Sequence, residues 1–162
     1  ALEEQKIIER HQQEAPVDIT ALVTDLGVTV FESDELPAGI SGKICLDPAA
    51  NNDSGYSITV NARDPYRRRR FTVAHECAHF LLHRAKIGDE LMDNALYRSE
   101  KLGSREEFEA NNKAAELLMP QKLMNDYIRR GISSIPDLAN AFEVSEPAMR
   151  VRMRYLYQLE YA

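Results

Sequence analysis

His75-Glu76-Cys77-Ala78-His79 is the run in this 162-residue sequence whose residue types and spacing can do chemistry. A helix advances about 100° per residue, so the histidines at i and i+4 stack on one face, where two imidazole nitrogens can reach one metal ion. Glu76 falls beside that face. It is too far round to ligate and well placed to take the proton of a water that the ion activates. Zinc is the expected ion, with manganese or iron as alternatives, because it lowers the pKa of a coordinated water toward neutrality and polarises a carbonyl. The plainer reading of the same five residues is a pair of histidines on a buried helix.

A catalytic zinc takes three protein ligands and keeps one position open, so a further carboxylate or histidine is required from elsewhere in the chain. Setting Glu107 at zero on a helical wheel brings Ala110, Asn111, Ala114, Ala115, Leu117 and Leu118 to its side, with Glu106, Glu109, Asn112, Lys113 and Glu116 opposite. Glu109 and Lys113, at i and i+4 on the polar side, read as a solvated ion pair. Glu107 is a carboxylate on the inward face, costly to bury unless paired or metal-bound, and is the best third ligand. Ser104-x-x-Glu107 also fits a capping box, in which the glutamate would bond back to the helix start. Asn111, one turn on, is expected to orient a metal-binding histidine through its amide. Cys77 lies on the side of its helix opposite the histidines and reads as core packing. His83 continues the series, but a rise of about 1.5 Å per residue leaves it about 12 Å along the axis from His75. It is expected to make a structural hydrogen bond or touch substrate. His11 reads as a surface residue, and Tyr97 is the expected donor to a transition-state oxyanion.

These side chains need elements to hold them. Residues 2–13 suit a helix, and 18–26 a second that stops at Gly27. Short apolar runs at 28–31 and 40–46 read as strands, and Tyr56, Ile58 and Val60 alternate with Ser57, Thr59 and Asn61 at the strand period of two. If residues 57–61 form the sheet edge beside the metal helix, an extended peptide could add to them. Asp64-Pro65 opens a long helix to about residue 84. Residues 85–103 show no clean period and read as a loop or irregular helix. Helices then follow from Ser104 to Met119 and from Gln121 to Arg130, and two short ones fit the remainder. The fold class is α+β, mostly helical, with a small antiparallel sheet of about three strands. The division is a metal-binding domain over 1–131 and a helix-turn-helix-like segment over 132–162.

Arg70-Phe71-Thr72-Val73-Ala74-His75-Glu76-Cys77-Ala78-His79-Phe80-Leu81-Leu82-His83 resembles the core signature of the ImmA/IrrE family of metallopeptidases. A second block, Glu107-Phe108-Glu109-Ala110-Asn111 followed by Ala114-Ala115-Glu116-Leu117-Leu118-Met119-Pro120, is similar to the family's other hallmark. Pro16-Val17-Asp18-Ile19, Ile58-Thr59-Val60-Asn61 and Val144-Ser145 with Ala148-Met149-Arg150 match in character, so the resemblance covers most of the chain. It implies a gluzincin-like helix bundle and Glu107 as third zinc ligand. It also implies limited cutting of helix-turn-helix repressors, which relieves repression of stress or mobile-element genes. Cys77-Ala78 stands where the family often has an aliphatic residue and glycine, and Lys113 where an aromatic is common; neither is a ligand position.

Twenty Lys and Arg against 26 Asp and Glu give a formal charge of -6, so no overall field draws the chain to nucleic acid or anionic lipid. Arg150, Arg152 and Arg154 sit two apart, about 200° from one another on a helix, and do not form the single stripe a DNA reader presents. Arg67 to Arg70 read either as a solvated face or as a grip on an acidic substrate segment, with Arg70 also able to make a buried ion pair. Two cysteines and no membrane-length apolar run fit a soluble, reducing, cytoplasmic setting. The rival functions are a regulatory partner of the toxin–antitoxin kind that binds without cutting, and DNA binding through the C-terminal helices. Glu76 favours the peptidase, because a purely structural zinc site needs four protein ligands and no base.

Overall fold

A computed structural model describes residues 1–94 and 103–158. In chain order the elements are α1 (Leu2–Arg10), α2 (Ile19–Asp25), β1 (Thr29–Ser33), β2 (Ile40–Leu46), β3 (Tyr56–Asn61), α3 (Tyr66–Ile87), β4 (Glu90–Asn94), α4 (Ser104–Leu118), α5 (Gln121–Arg129), α6 (Ile135–Phe142) and α7 (Glu146–Tyr157). Side chains cap three of the helices: Asp18, Ser134 and Ser145 each accept from a backbone N–H in the first turn of α2, α6 and α7. The loop between β2 and β3 is held by Asn52, which donates to the Tyr56 carbonyl and accepts from Gly55 N–H.

The sheet has the order β1-β3-β2-β4 and is mixed, four strands where three antiparallel ones were expected. The β2–β3 hairpin is antiparallel, and its return strand inserts beside β1, which runs parallel to β3. The fourth strand, β4, comes from the stretch that showed no period; it pairs antiparallel with β2, with an irregularity near Ile40 and Gly42. Its pairing partner lies far off in sequence, so local alternation could not reveal it. Residues 57–61 are therefore interior rather than an edge: Ile58 pairs with Val30 on one side and Ile44 on the other. The strand also buries side chains on both faces, Ser57 and Asn61 on one and Ile58 and Val60 on the other.

Against the sheet lies α3, buried on most of its circumference from Arg70 to Ile87. Pro65 is its N-cap, and the Asp64 carboxylate pairs with Arg68 one turn on instead of capping the helix. A departure from helical dihedrals at His83 (φ -128°, ψ 25°) kinks α3 before its last turn. One continuous apolar cluster joins Val73, Cys77 and Phe80 of α3 to Ile58, to Leu117 and Leu118 of α4, and to Leu138, Phe142 and Met149 of α6 and α7.

Arg70 is buried and donates to the carbonyls of Val17, Phe142 and Glu143, while Arg67 donates to Val144 O and Asn140 Oδ1. The two arginines thus tie α3 to the turn between α6 and α7. Arg70 satisfies carbonyls rather than forming a close ion pair; the Glu143 carboxylate is 3.9 Å away. Arg152 is also buried and donates to Met119 O, whereas Arg154 is exposed. Among the described residues no helix is long and apolar enough to cross a membrane.

Candidate metal centre

Two packed helices bring the site together. His75 and His79 rise from one face of α3, and Glu107 meets them from the first turns of α4. Both helices bury alanines, Ala74 and Ala78 on α3, Ala110 and Ala114 on α4, small side chains that let helix axes approach. The Nε2 atoms of His75 and His79 are 3.1 Å apart. The Glu107 carboxylate spans them, with Oε2 at 3.2 Å from His75 Nε2 and Oε1 at 3.2 Å from His79 Nε2. Gly103 is the N-cap of α4, and Ser104 is its first helical residue, so Glu107 does not close a capping box.

These three residues could hold a metal ion. Each presents an atom with a lone pair to the same point, and such atoms repel at these separations unless a cation or proton is shared among them. A tetrahedral ion with bonds of about 2.0–2.1 Å sets its ligand atoms about 3.4 Å apart, close to the spacing seen. Burial pushes the Glu107 carboxyl up, but the imidazoles of His75 and His79 outweigh it and hold the group well below the usual carboxylate range. Glu107 is therefore anionic at neutral pH, as a ligand must be.

Asn111 Oδ1 lies 2.9 Å from His75 Nδ1. An amide oxygen only accepts, so His75 donates from Nδ1 in this pair, which reserves its Nε2 for the cluster with Glu107. Cys77 is wholly buried in the apolar cluster, and burial pushes its thiol up to about 12, leaving it protonated and unsuited to bind metal. His11 pairs with Asp25 at 2.6 Å, remote in the chain from the site. Tyr97 lies outside the described residues.

His83 is buried, with Nδ1 3.0 Å from His79 Nδ1 and Nε2 3.0 Å from Glu109 Oε1. The expected Glu109–Lys113 pair does not form; Lys113 pairs with Glu116 instead. A wheel places Glu109 on the polar side of α4 and cannot show that the last turns of α3 run past it. The signal that could have found this contact was the need of a third histidine on the buried face for a partner.

Glu76 is fully buried on α3, and strand β2 crosses above it at Gly42. A Cβ at Gly42 would fall 2.5 Å from Thr72 Cγ2, 3.1 Å from Thr59 O and 3.5 Å from Glu76 Oε2. Glycine is required here for close approach, a second residue that sequence reading passed over. Gly42→Ala is expected to destabilise the protein by about 1–3 kcal/mol, as overpacking does, and to displace the strand above Glu76. Denaturant unfolding would check the first effect, and an unchanged midpoint would refute the close packing described.

Comparison with known proteins places this architecture. Residues 23–154 match the family Peptidase_M78, described as the IrrE N-terminal-like domain. The radiation response metalloprotease IrrE of Deinococcus deserti is 32% identical over 113 residues, which are 64% of this chain and 39% of that protein. A solved structure of a Mycobacterium tuberculosis transcriptional regulator superposes with a TM-score of 0.59 at 17% identity, over 93% of this chain and 46% of that one. The chain therefore spans less than half the length of either relative, and the second likeness concerns the fold alone.

Proposed function

Because this chain belongs to the Peptidase_M78 family of IrrE N-terminal-like domains, we propose that it is a zinc-dependent endopeptidase making limited cuts in a helix-turn-helix repressor. The observation that carries the reading is the convergence of His75 Nε2, His79 Nε2 and the Glu107 carboxylate, with the buried Glu76 next in the chain to a ligand. In this reading His75, His79 and Glu107 hold the ion and Asn111 fixes the proton of His75. Two imidazoles and one carboxylate suit zinc and leave a position open. When bound, zinc supplies a Lewis acid that polarises a peptide carbonyl and makes water acidic enough to lose a proton near neutral pH.

Glu76 then acts at two moments. Its carboxylate takes a proton from the attacking water as the new C–O bond forms, and it returns that proton to the amide nitrogen as the C–N bond breaks. Glu76 ends in its starting state, and water is divided between the new carboxyl and amino ends. Tyr97 remains the proposed donor to the oxyanion. The substrate class rests on the family resemblance. The two free cysteines, Cys45 and Cys77, suit a reducing cytoplasmic compartment for the reaction.

The test is incubation of the zinc-loaded chain with helix-turn-helix repressors of the same organism, with fragments mapped by mass spectrometry. The expected result is one or a few cuts that a chelator stops and added zinc restores. Tight binding of the repressor with no cut under any metal condition would instead identify a binding partner and refute the peptidase.

A further inference from the structure

We propose that Glu109 and His83 are positioning residues, a hydrogen-bonded chain that sets which nitrogen of His79 carries its proton and so turns an unprotonated Nε2 to the metal. The proposal rests on the reading of His79 as a metal ligand and adds two residues to it. The chain is continuous: Glu109 Oε1 to His83 Nε2 is 3.0 Å, and His83 Nδ1 to His79 Nδ1 is 3.0 Å. Each link has a direction dictated by proton counting.

An ionised carboxylate only accepts, so the proton of the first link sits on His83 Nε2. A neutral imidazole that ligates through Nε2 carries its proton on Nδ1, so His79 donates in the second link and His83 Nδ1 accepts. That leaves His79 Nε2 with a lone pair, aimed where Glu107 and His75 also point. His75 reaches the same protonation by a shorter route, through Asn111.

Reversing the first link would reverse the rest. Without Glu109, His83 is free to carry its proton on Nδ1 and donate to His79, which places the His79 proton on Nε2 and blocks the metal. The kink of α3 falls at His83, and the rings of His79 and His83 sit 5.3 Å apart at a tilt of 48°. Glu109 is well suited to the outer end: its side chain is 42% exposed, and its other oxygen lies 3.9 Å from Arg105 Nε. As a carboxylate it can only accept from the ring. Partners of this kind behind metal-binding histidines are typically worth about 10–100-fold in metal affinity.

The experiment compares wild type, Glu109→Ala, Glu109→Gln and His83→Phe in zinc affinity, by competition with a chromophoric chelator. It also reads the imidazole 15N shifts of His79 and His83 in the metal-free protein at mildly alkaline pH. Glu109→Ala is expected to weaken zinc about 10–100-fold and to move both rings toward the opposite tautomer. Glu109→Gln, whose amide oxygen can still accept from His83, should lose less. Adding Glu109→Ala to His83→Phe should cost nothing more, because the chain is already cut. Unchanged tautomers in Glu109→Ala would overturn the proposal even if affinity fell, since a lost charge alone would explain that. Unchanged affinity would overturn it too. Wild type that binds no zinc, or keeps it in His75→Ala, would overturn the metal reading itself and this proposal with it; zinc lost in His75→Ala but held equally by Glu109→Ala would remove the proposal alone.

Discussion

Glu76→Gln is expected to slow cleavage by about 10²–10⁴-fold while leaving zinc bound with wild-type stoichiometry. The substitution keeps the size and shape of a fully buried side chain and removes only its capacity to accept and return a proton. Because the three proposed ligands are His75, His79 and Glu107, metal content and affinity should hardly change. Stability should hold or rise, since a buried carboxylate is costlier to desolvate than a buried amide. The measurements are the initial rate of fragment release, metal analysis after dialysis, and thermal unfolding. A rate within tenfold of wild type would remove Glu76 from the role of base. Loss of zinc together with loss of rate would point instead to a ligand or structural role.

Glu107→Ala is expected to have the largest effect on metal content, with zinc lost on dialysis and cleavage lost with it. The carboxylate lies 3.2 Å from the Nε2 atoms of both His75 and His79, and no other Asp or Glu among the described residues joins that group. Two histidines alone hold zinc poorly, because a catalytic site takes three protein ligands. The fold should survive, since Glu107 occupies the first turns of α4 and the apolar contacts of that helix lie further along, at Ala114, Leu117 and Leu118. Glu109→Ala is the informative control. It should keep zinc on dialysis, though more weakly, because Glu109 touches His83 and not the ligand cluster. Zinc retained by Glu107→Ala and lost by Glu109→Ala would exchange the roles assigned to the two glutamates.

Much of the candidate site was legible in the chain because it is periodic. The spacing of His75 and His79 needs only a helix to stack the rings. The misfit of Glu107 on an otherwise apolar helix face needs only a wheel. Asn111 follows from the same wheel, one turn on. Glu109 was read from that wheel as half of a surface ion pair, and there the method met its limit. A wheel says which side of its own helix a residue takes, not which neighbour passes that side. Gly42 was hidden for a similar reason: nothing in the sequence of β2 shows that Thr72 and Glu76 lie under it.

The sheet divides in the same way. Alternation in residues 56–61 marked a strand, yet its place in the interior, parallel to β1 on one side and antiparallel to β2 on the other, depends on pairings between distant residues. β4 carried no local signal, since its five residues gain their conformation from β2 rather than from their own pattern. The arginines at 67 and 70 read from the sequence as a solvated face, a grip on an acidic segment or, for Arg70, a buried ion pair. Only the packing of α6 and α7 over α3 shows that they donate to the carbonyls of Phe142, Glu143 and Val144.

By itself, then, the sequence determined the helices, the identity of the paired histidines, the inward glutamate and the family signature, because each is written within about a turn or two of helix. Tertiary structure alone decided that Glu107 reaches both histidines at 3.2 Å, that Glu109 reaches His83, and that Gly42 sits against the helix carrying Glu76. The physical reason is range: periodicity encodes which face a side chain takes, whereas contact between faces is set by packing across the core.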